Sequence, residues 1–230
     1  MGEVFEILII ALISMPLGLL LGCGSVYVFN HMPSKWLCDY GEEPDSALED
    51  KSRQRINGMP YKFIFSALFI ALGIYFGTHD YVFGITAIFE IWLLLMIGLA
   101  DKKYMIIPDQ FVIFLALFAI PLAAYRDGMT DMIYGMLIGG GTMLVIAVIG
   151  KIVSGKEALG FGDVKLMAAI GLSAGLRGTV IVLVVMSLLA AGYLTYALAR
   201  RKVKKGDSYP LGPFISLAMT IYLFAAASGF

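Results

Sequence analysis

Charge is scarce in this chain. Only 15% of its 230 residues are Asp, Glu, Lys or Arg, while 60% are hydrophobic and the mean hydropathy is +0.86. A soluble domain carries roughly a quarter charged residues, so this composition argues for a polytopic membrane protein. The few charges cancel, 17 basic against 17 acidic, and nothing points to a nucleic-acid partner. Cysteine is almost missing: Cys23 and Cys38 are too few for a disulfide framework or a structural zinc site. Histidine is no richer. His31 has no ligand partner at a diagnostic spacing, and His79 sits beside Asp80 in a short turn. Internal repeats and low-complexity tracts are absent too, which leaves long apolar runs as the main signal.

Eight such runs are candidates for membrane-spanning helices: Val4–Phe29, Tyr61–Gly77, Tyr81–Ala100, Gln110–Tyr125, Met132–Gly150, Ala158–Leu176, Thr179–Ala199 and Leu211–Gly229. The first carries Glu3 and Glu6 without a basic flank or a small-residue cleavage site, and reads as a retained helix. Eight crossings place all basic residues but Arg126 and Arg177 on one side. The positive-inside rule makes that side cytosolic and puts both termini outside. The expected fold is all-α, one membrane domain over residues 1–230 with about eight transmembrane helices and a cytosolic loop at 30–60. That loop mixes Asp39, Glu42, Glu43, Asp45, Glu49 and Asp50 with basic residues and cannot build its own core.

Glycines set the expected helix contacts. Gly18-x-x-x-Gly22, Gly135-x-x-x-Gly139 and Gly171-x-x-x-Gly175 each put two glycines on one helical face, where backbones approach closely in lipid. Packing, not chemistry, is their expected role.

Chemistry points instead to two acids. An ionisable side chain at membrane depth is expensive, and so is a functional candidate by default. Asp101 ends the third apolar run, and Asp163 follows 62 residues later in Gly160-Phe-Gly162-Asp163. The sixth run has 19 residues between Glu157 and Arg177, about 28 Å if helical. It spans the hydrocarbon only if Gly160–Asp163 is included, which sets Asp163 slightly inside the cytosolic face. Gly160 and Gly162 allow the backbone to bend there. Two carboxylates sharing one site cannot both ionise cheaply, so one keeps its proton. The ionised acid takes a proton from water and the protonated one polarises a peptide carbonyl, a metal-free route to hydrolysis. The plainer alternative makes Asp101 a loop acid balanced by Lys102 and Lys103, with Asp163 capping a helix start and pairing with Lys165. Asp109, after Pro108, reads as a helix cap.

Taken together these residues resemble the type IV prepilin peptidases, membrane aspartic proteases of the Gly-x-Gly-Asp type. Asp101-Lys-Lys-Tyr-Met-Ile-Ile-Pro108-Asp109 is similar to the family's first catalytic block. Gly160-Phe-Gly162-Asp163-Val-Lys165-Leu-Met-Ala-Ala-Ile-Gly171 is similar to the second, and Tyr209-Pro-Leu-Gly-Pro-Phe214 to the entry of the last helix. The resemblance covers roughly residues 95–215. A looser likeness runs from Gly22-Cys-Gly-Ser25 to Asn30-His-Met-Pro33.

The resemblance implies an inner-membrane endopeptidase with its active site facing the cytosol. Asp101 and Asp163 would be its catalytic dyad, supported by Gly160, Gly162, Lys165, Pro108 and Asp109. The implied substrates are prepilin-like precursors: pilins, secretion pseudopilins, competence pilins or archaellins, each with a short basic leader, a cleavage site after glycine and a hydrophobic helix. Peptide cleavage needs no cofactor. S-adenosylmethionine enters only if the methylation activity of many bacterial members is retained. Those members carry two Cys-x-x-Cys pairs in the cytosolic loop, where this chain has only Cys38.

The acidic stretch Asp39–Asp50 can attract a basic leader at short range. Neutralising its six acids should then slow cleavage and flatten its salt dependence; unchanged kinetics would remove that role. Glu90 lies eleven residues before Asp101, about 16 Å along the helix, and reads as a neutral acid between helices. Lys165 is expected to snorkel to the interface and to favour ionised Asp163. Two rivals stand: an intramembrane protease of the presenilin or signal peptide peptidase type, and an ion-coupled transporter using Glu90, Asp101 and Asp163. The chain has Ala100-Asp101 rather than Tyr-Asp, lacks Pro-Ala-Leu, and shows no inverted repeat.

Overall fold

The computed structural model describes residues 2–38, 41, 43–44, 48, 54–155, 159–200 and 209–229. Of the acidic loop residues only Glu43 falls among them. Lys51, Arg53, Lys156, Glu157 and the cluster Arg201–Lys205 also lie outside the described residues. Among those described, all regular structure is helical: α1 (Gly2–His31), a 3₁₀ turn (Ser34–Leu37), α2 (Tyr61–Gly77), α3 (Tyr81–Tyr104), α4 (Asp109–Leu122), α5 (Met129–Ser154), α6 (Phe161–Ala199) and α7 (Gly212–Ala227).

Four of these helices, α1, α3, α5 and α6, are long and apolar enough to cross a bilayer. Their outward faces say what surrounds them. Leu12 and Leu20 on α1 are each 73% exposed, and Ile152 and Val153 on α5 are 77% and 81% exposed. Each such side chain would forfeit about 1.5–3 kcal/mol in water but nothing in lipid. This is a multi-pass membrane protein.

The chain forms two compact units, Met1–Trp92 with Ala225–Phe230, and Leu93–Phe224. In the first, α1 and α2 pack antiparallel through small residues. A Cβ on Gly18 would strike Ile70, one on Gly73 would lie 2.8 Å from Ser14 Oγ, and one on Gly22 would run into the Ser66 backbone. Backbones meet here because the side chains are missing, as the Gly18–Gly22 spacing predicted. Beyond α1, Asn30 and Ile56 exchange side chain-to-backbone hydrogen bonds of 3.0 and 2.9 Å. Arg55 donates to the Phe29 and Met32 carbonyls at the end of α1, where a cation suits the helix dipole. Both thiols are free; Cys23 Sγ lies 3.9 Å from Ser66 Oγ and Cys38 donates to the Ser34 carbonyl.

In the second unit, α6 is two limbs. Gly175 breaks it with φ 68° and ψ −179°, a conformation open essentially to glycine alone. A Cβ on Gly139 would sit 2.5 Å from the Met167 carbonyl oxygen and 3.2 Å from Thr179 Cγ2. Those atoms are therefore within about 6 Å of each other, whereas twelve residues of straight helix would part them by about 18 Å. The chain turns back at Gly175, and both limbs, α6a (161–174) and α6b (176–199), pack on α5. The two expected segments 158–176 and 179–199 correspond to these limbs. Gly171 and Gly175 both lie against Gly135, as their spacing predicted, and Gly175 also forms the bend itself. Arg126 Nε donates to the Ser173 carbonyl (2.9 Å), the Leu176 amide donates to Asp131 Oδ1 (3.1 Å), and Tyr222 donates to the Ala174 carbonyl (3.1 Å). Each secures the bend.

Gly175→Ala should therefore cost at least about 1–3 kcal/mol in strain, and more because its Cβ would collide with the Asp131 carboxylate. Gly192→Ala on α6b meets nothing within 4 Å and should be neutral or slightly stabilising. Thermal unfolding in detergent separates the two; equal midpoints would mean the bend is not held as described.

Candidate active site

The bend fixes which helix ends come together in the second unit. α5 runs antiparallel to α6a, since Gly135 meets Gly171 while Gly140 meets Ala168. α4 runs parallel to it, since Lys165 reaches Asp109 and Arg126 reaches Ser173. One end of this unit thus gathers the end of α3 and the starts of α4, α6a and α7. Asp101 and Asp163 are both at that end.

Asp101 lies in the last turn of α3 and is only 5% exposed. The helix stops because Met105 takes a left-handed conformation (φ 55°), its amide still donating to the Asp101 carbonyl at 2.8 Å. Pro108 then fixes an extended entry (φ −66°, ψ 123°) and α4 begins. The side chain of Asp101 is held from another direction: the Gly212 amide, at the start of α7, donates to its Oδ2 at 2.6 Å. A Cβ on Gly212 would fall 2.7 Å from that oxygen and 2.9 Å from Asp101 Cβ. Only glycine admits this approach.

Asp163 is the third residue of α6a and is 8% exposed. Gly160 occupies the cap position with extended backbone (φ −72°, ψ 146°), and its amide hydrogen-bonds the Asp163 carboxylate. The other side of the turn is equally close: a Cβ on Gly162 would sit 3.1 Å from Ile107 Cβ. Ile107 belongs to the connection that leaves Asp101, so the two motif blocks touch. Asp101 is near enough to act electrostatically on Asp163. Asp163 Oδ1 is buried with no hydrogen-bond partner among the described residues.

One sequence expectation changes here. Asp109 is not the cap of α4; Pro108 holds that position, and no side chain caps it. Lys165, which the plainer alternative paired with Asp163, has its Nζ 3.0 Å from both oxygens of Asp109. It also lies 5.2 Å from the Phe161 ring centroid. Sequence reasoning missed the Gly212 amide, whose one hint was the glycine between prolines in Pro210-Leu-Gly-Pro213. Glu90 is fully buried in α3 but belongs to the first unit. His31 and His79 each lie 2.8 Å from a carbonyl one turn back, Tyr27 and Tyr75. Among the described residues no three His, Cys, Asp or Glu side chains group as metal ligands.

A profile of the type IV leader peptidase family matches residues 88–195, which include both aspartates. A prepilin leader peptidase/N-methyltransferase from Bacillus subtilis is 32% identical over 162 residues, 69% of this chain and 62% of that protein. One from Pseudomonas aeruginosa is 30% identical over 136 residues, 57% of this chain and 46% of that protein. Another from Stutzerimonas stutzeri is 26% identical over 129 residues, 55% of this chain and 45% of that protein. The chain spans about half the length of the curated relatives it matches. No solved structure matches it significantly. The likeness to the type IV leader peptidase family thus runs over residues 88–195, just under half of the chain.

Proposed function

We propose that this protein is an aspartic endopeptidase of the cytoplasmic membrane that removes the short basic leader from type IV prepilin-like precursors. The observation that carries this reading is the burial of Asp101 and Asp163 together at one end of the second unit, within the family segment. Of two such carboxylates one holds the charge and accepts a proton from water, while the other holds a proton and polarises the scissile carbonyl. Gly212 orients Asp101 and the Gly160-Phe-Gly162 turn orients Asp163.

All eight helical segments cross the bilayer in this reading, with residues 1–230 forming one membrane domain and the aspartates at the cytosolic face. Lys102, Lys103, Lys151 and Arg200 belong to segments at that end, which the positive-inside rule favours. A precursor whose apolar helix lies in the bilayer, and whose leader stays cytosolic, presents its scissile bond at the same depth. Residues 30–60 are the reduced counterpart of the loop used for methylation. The relatives' names include N-methyltransferase, but the described part of this loop offers no cluster of cysteines: Cys38 bonds Ser34. The proposal is confined to the peptidase.

Cleavage of a pilin-like precursor by the purified protein in lipid tests it. A product shortened by the leader is expected. An intact precursor across pilin, pseudopilin and archaellin sequences would overturn the reading.

A further inference from the structure

We propose that the Asp109–Lys165 ion pair is a positioning clasp that sets the register between the two helices carrying the aspartates; this rests on the peptidase reading. The pair joins residues 56 positions apart, with Lys165 Nζ at 3.0 Å from each Asp109 oxygen. Lys165 follows Asp163 by two residues, and side chains at that spacing on a helix do not face each other. Lys165 is thus turned away from the carboxylate it neighbours in sequence and toward the start of α4.

The path from Asp101 to Asp109 is short and stiff. It leaves α3 through left-handed Met105, a costly conformation for a residue with a side chain, and enters α4 through the fixed φ of Pro108. The start of α6a grips this path twice. Gly162 admits Ile107 just before Asp163, and Lys165 holds Asp109 just after it. Two contacts flanking Asp163 fix both the separation and the rotation of the path from Asp101. With its side chains 29% and 31% exposed, the pair adds little to folding. Its value lies in geometry, because a displacement of about 1 Å at a reacting centre can cost about 100-fold in rate.

The competing role for Lys165 is a direct charge effect on Asp163, and Asp109→Asn separates the two because it leaves Lys165 charged. The clasp predicts that Asp109→Asn and Lys165→Met each lower kcat by about 10- to 100-fold with little change in KM, since neither residue binds substrate. It further predicts that the reversed pair, Asp109→Lys with Lys165→Asp, recovers much of the loss. Wild-type kcat in Asp109→Asn would overturn the proposal.

Amide hydrogen exchange supplies a test that needs no cleavage. The amides of Phe111 and Val112 donate to the Pro108 carbonyl, and both should exchange faster in either single variant. Unchanged exchange in both overturns the clasp. Faster exchange in a protein that cleaves no precursor keeps the clasp and overturns the peptidase reading instead.

Discussion

Asp101→Asn and Asp163→Asn should each reduce leader removal by about 10²–10⁴-fold or more, the size of a general acid–base contribution. Asparagine nearly matches aspartate in shape, and both sites are buried, so folding should survive while proton transfer does not. The two groups act on a single water and carbonyl, so their losses should not multiply. The double variant should be no slower than the worse single, as expected when residues work as one unit. Single-turnover cleavage in lipid reads all three. Additive losses would mean that the aspartates serve separate steps. A loss confined to one would break the pairing and leave the other as a structural acid.

Gly212→Ala should produce the second-largest loss, about 100-fold in kcat, from the addition of one methyl group. Its Cβ would fall within 3.0 Å of three Asp101 atoms, closer than such contacts allow. Either the start of α7 or the Asp101 side chain must move, and the 2.6 Å hydrogen bond from the Gly212 amide is lost or bent. Gly98→Ala is the matched control. It lies on the same α3 surface facing α7, but its nearest neighbours, Pro213 Cα and Ser216 Oγ, would be 3.6 Å away. Gly98→Ala should therefore cleave at close to the wild-type rate. Equal activity in the two variants would show that Asp101 needs no support from α7.

The helical segments were legible because lipid demands long apolar runs with internally bonded backbones, and each expected segment has its counterpart here. The glycine spacings were legible for the same reason at Gly18, Gly22, Gly135 and Gly139. The bend at Gly175 was not, because a positive φ leaves no mark in a sequence where Gly-x-x-x-Gly already has a packing explanation. The partner of Lys165 was not legible, because closeness in sequence pointed to Asp163 while the contact is made in space. Two residues along a helix turn the side chain by about 200°, which sends it to Asp109. Gly212 was invisible as a partner for Asp101 because a backbone donor has no side-chain signature. The two aspartates stood out as candidates, since charge inside an apolar segment is rare and costly.

The central claim is that Asp101 and Asp163 form one hydrolytic site for a prepilin-like precursor. Intact mass spectrometry of such a precursor, incubated in lipid vesicles with the wild-type protein and with the two Asp→Asn variants, tests it most directly. The account predicts a wild-type product lacking only the leader, with the new N-terminus immediately after the glycine, and uncut precursor in both variants. The same product formed by either folded variant at the wild-type rate would contradict it.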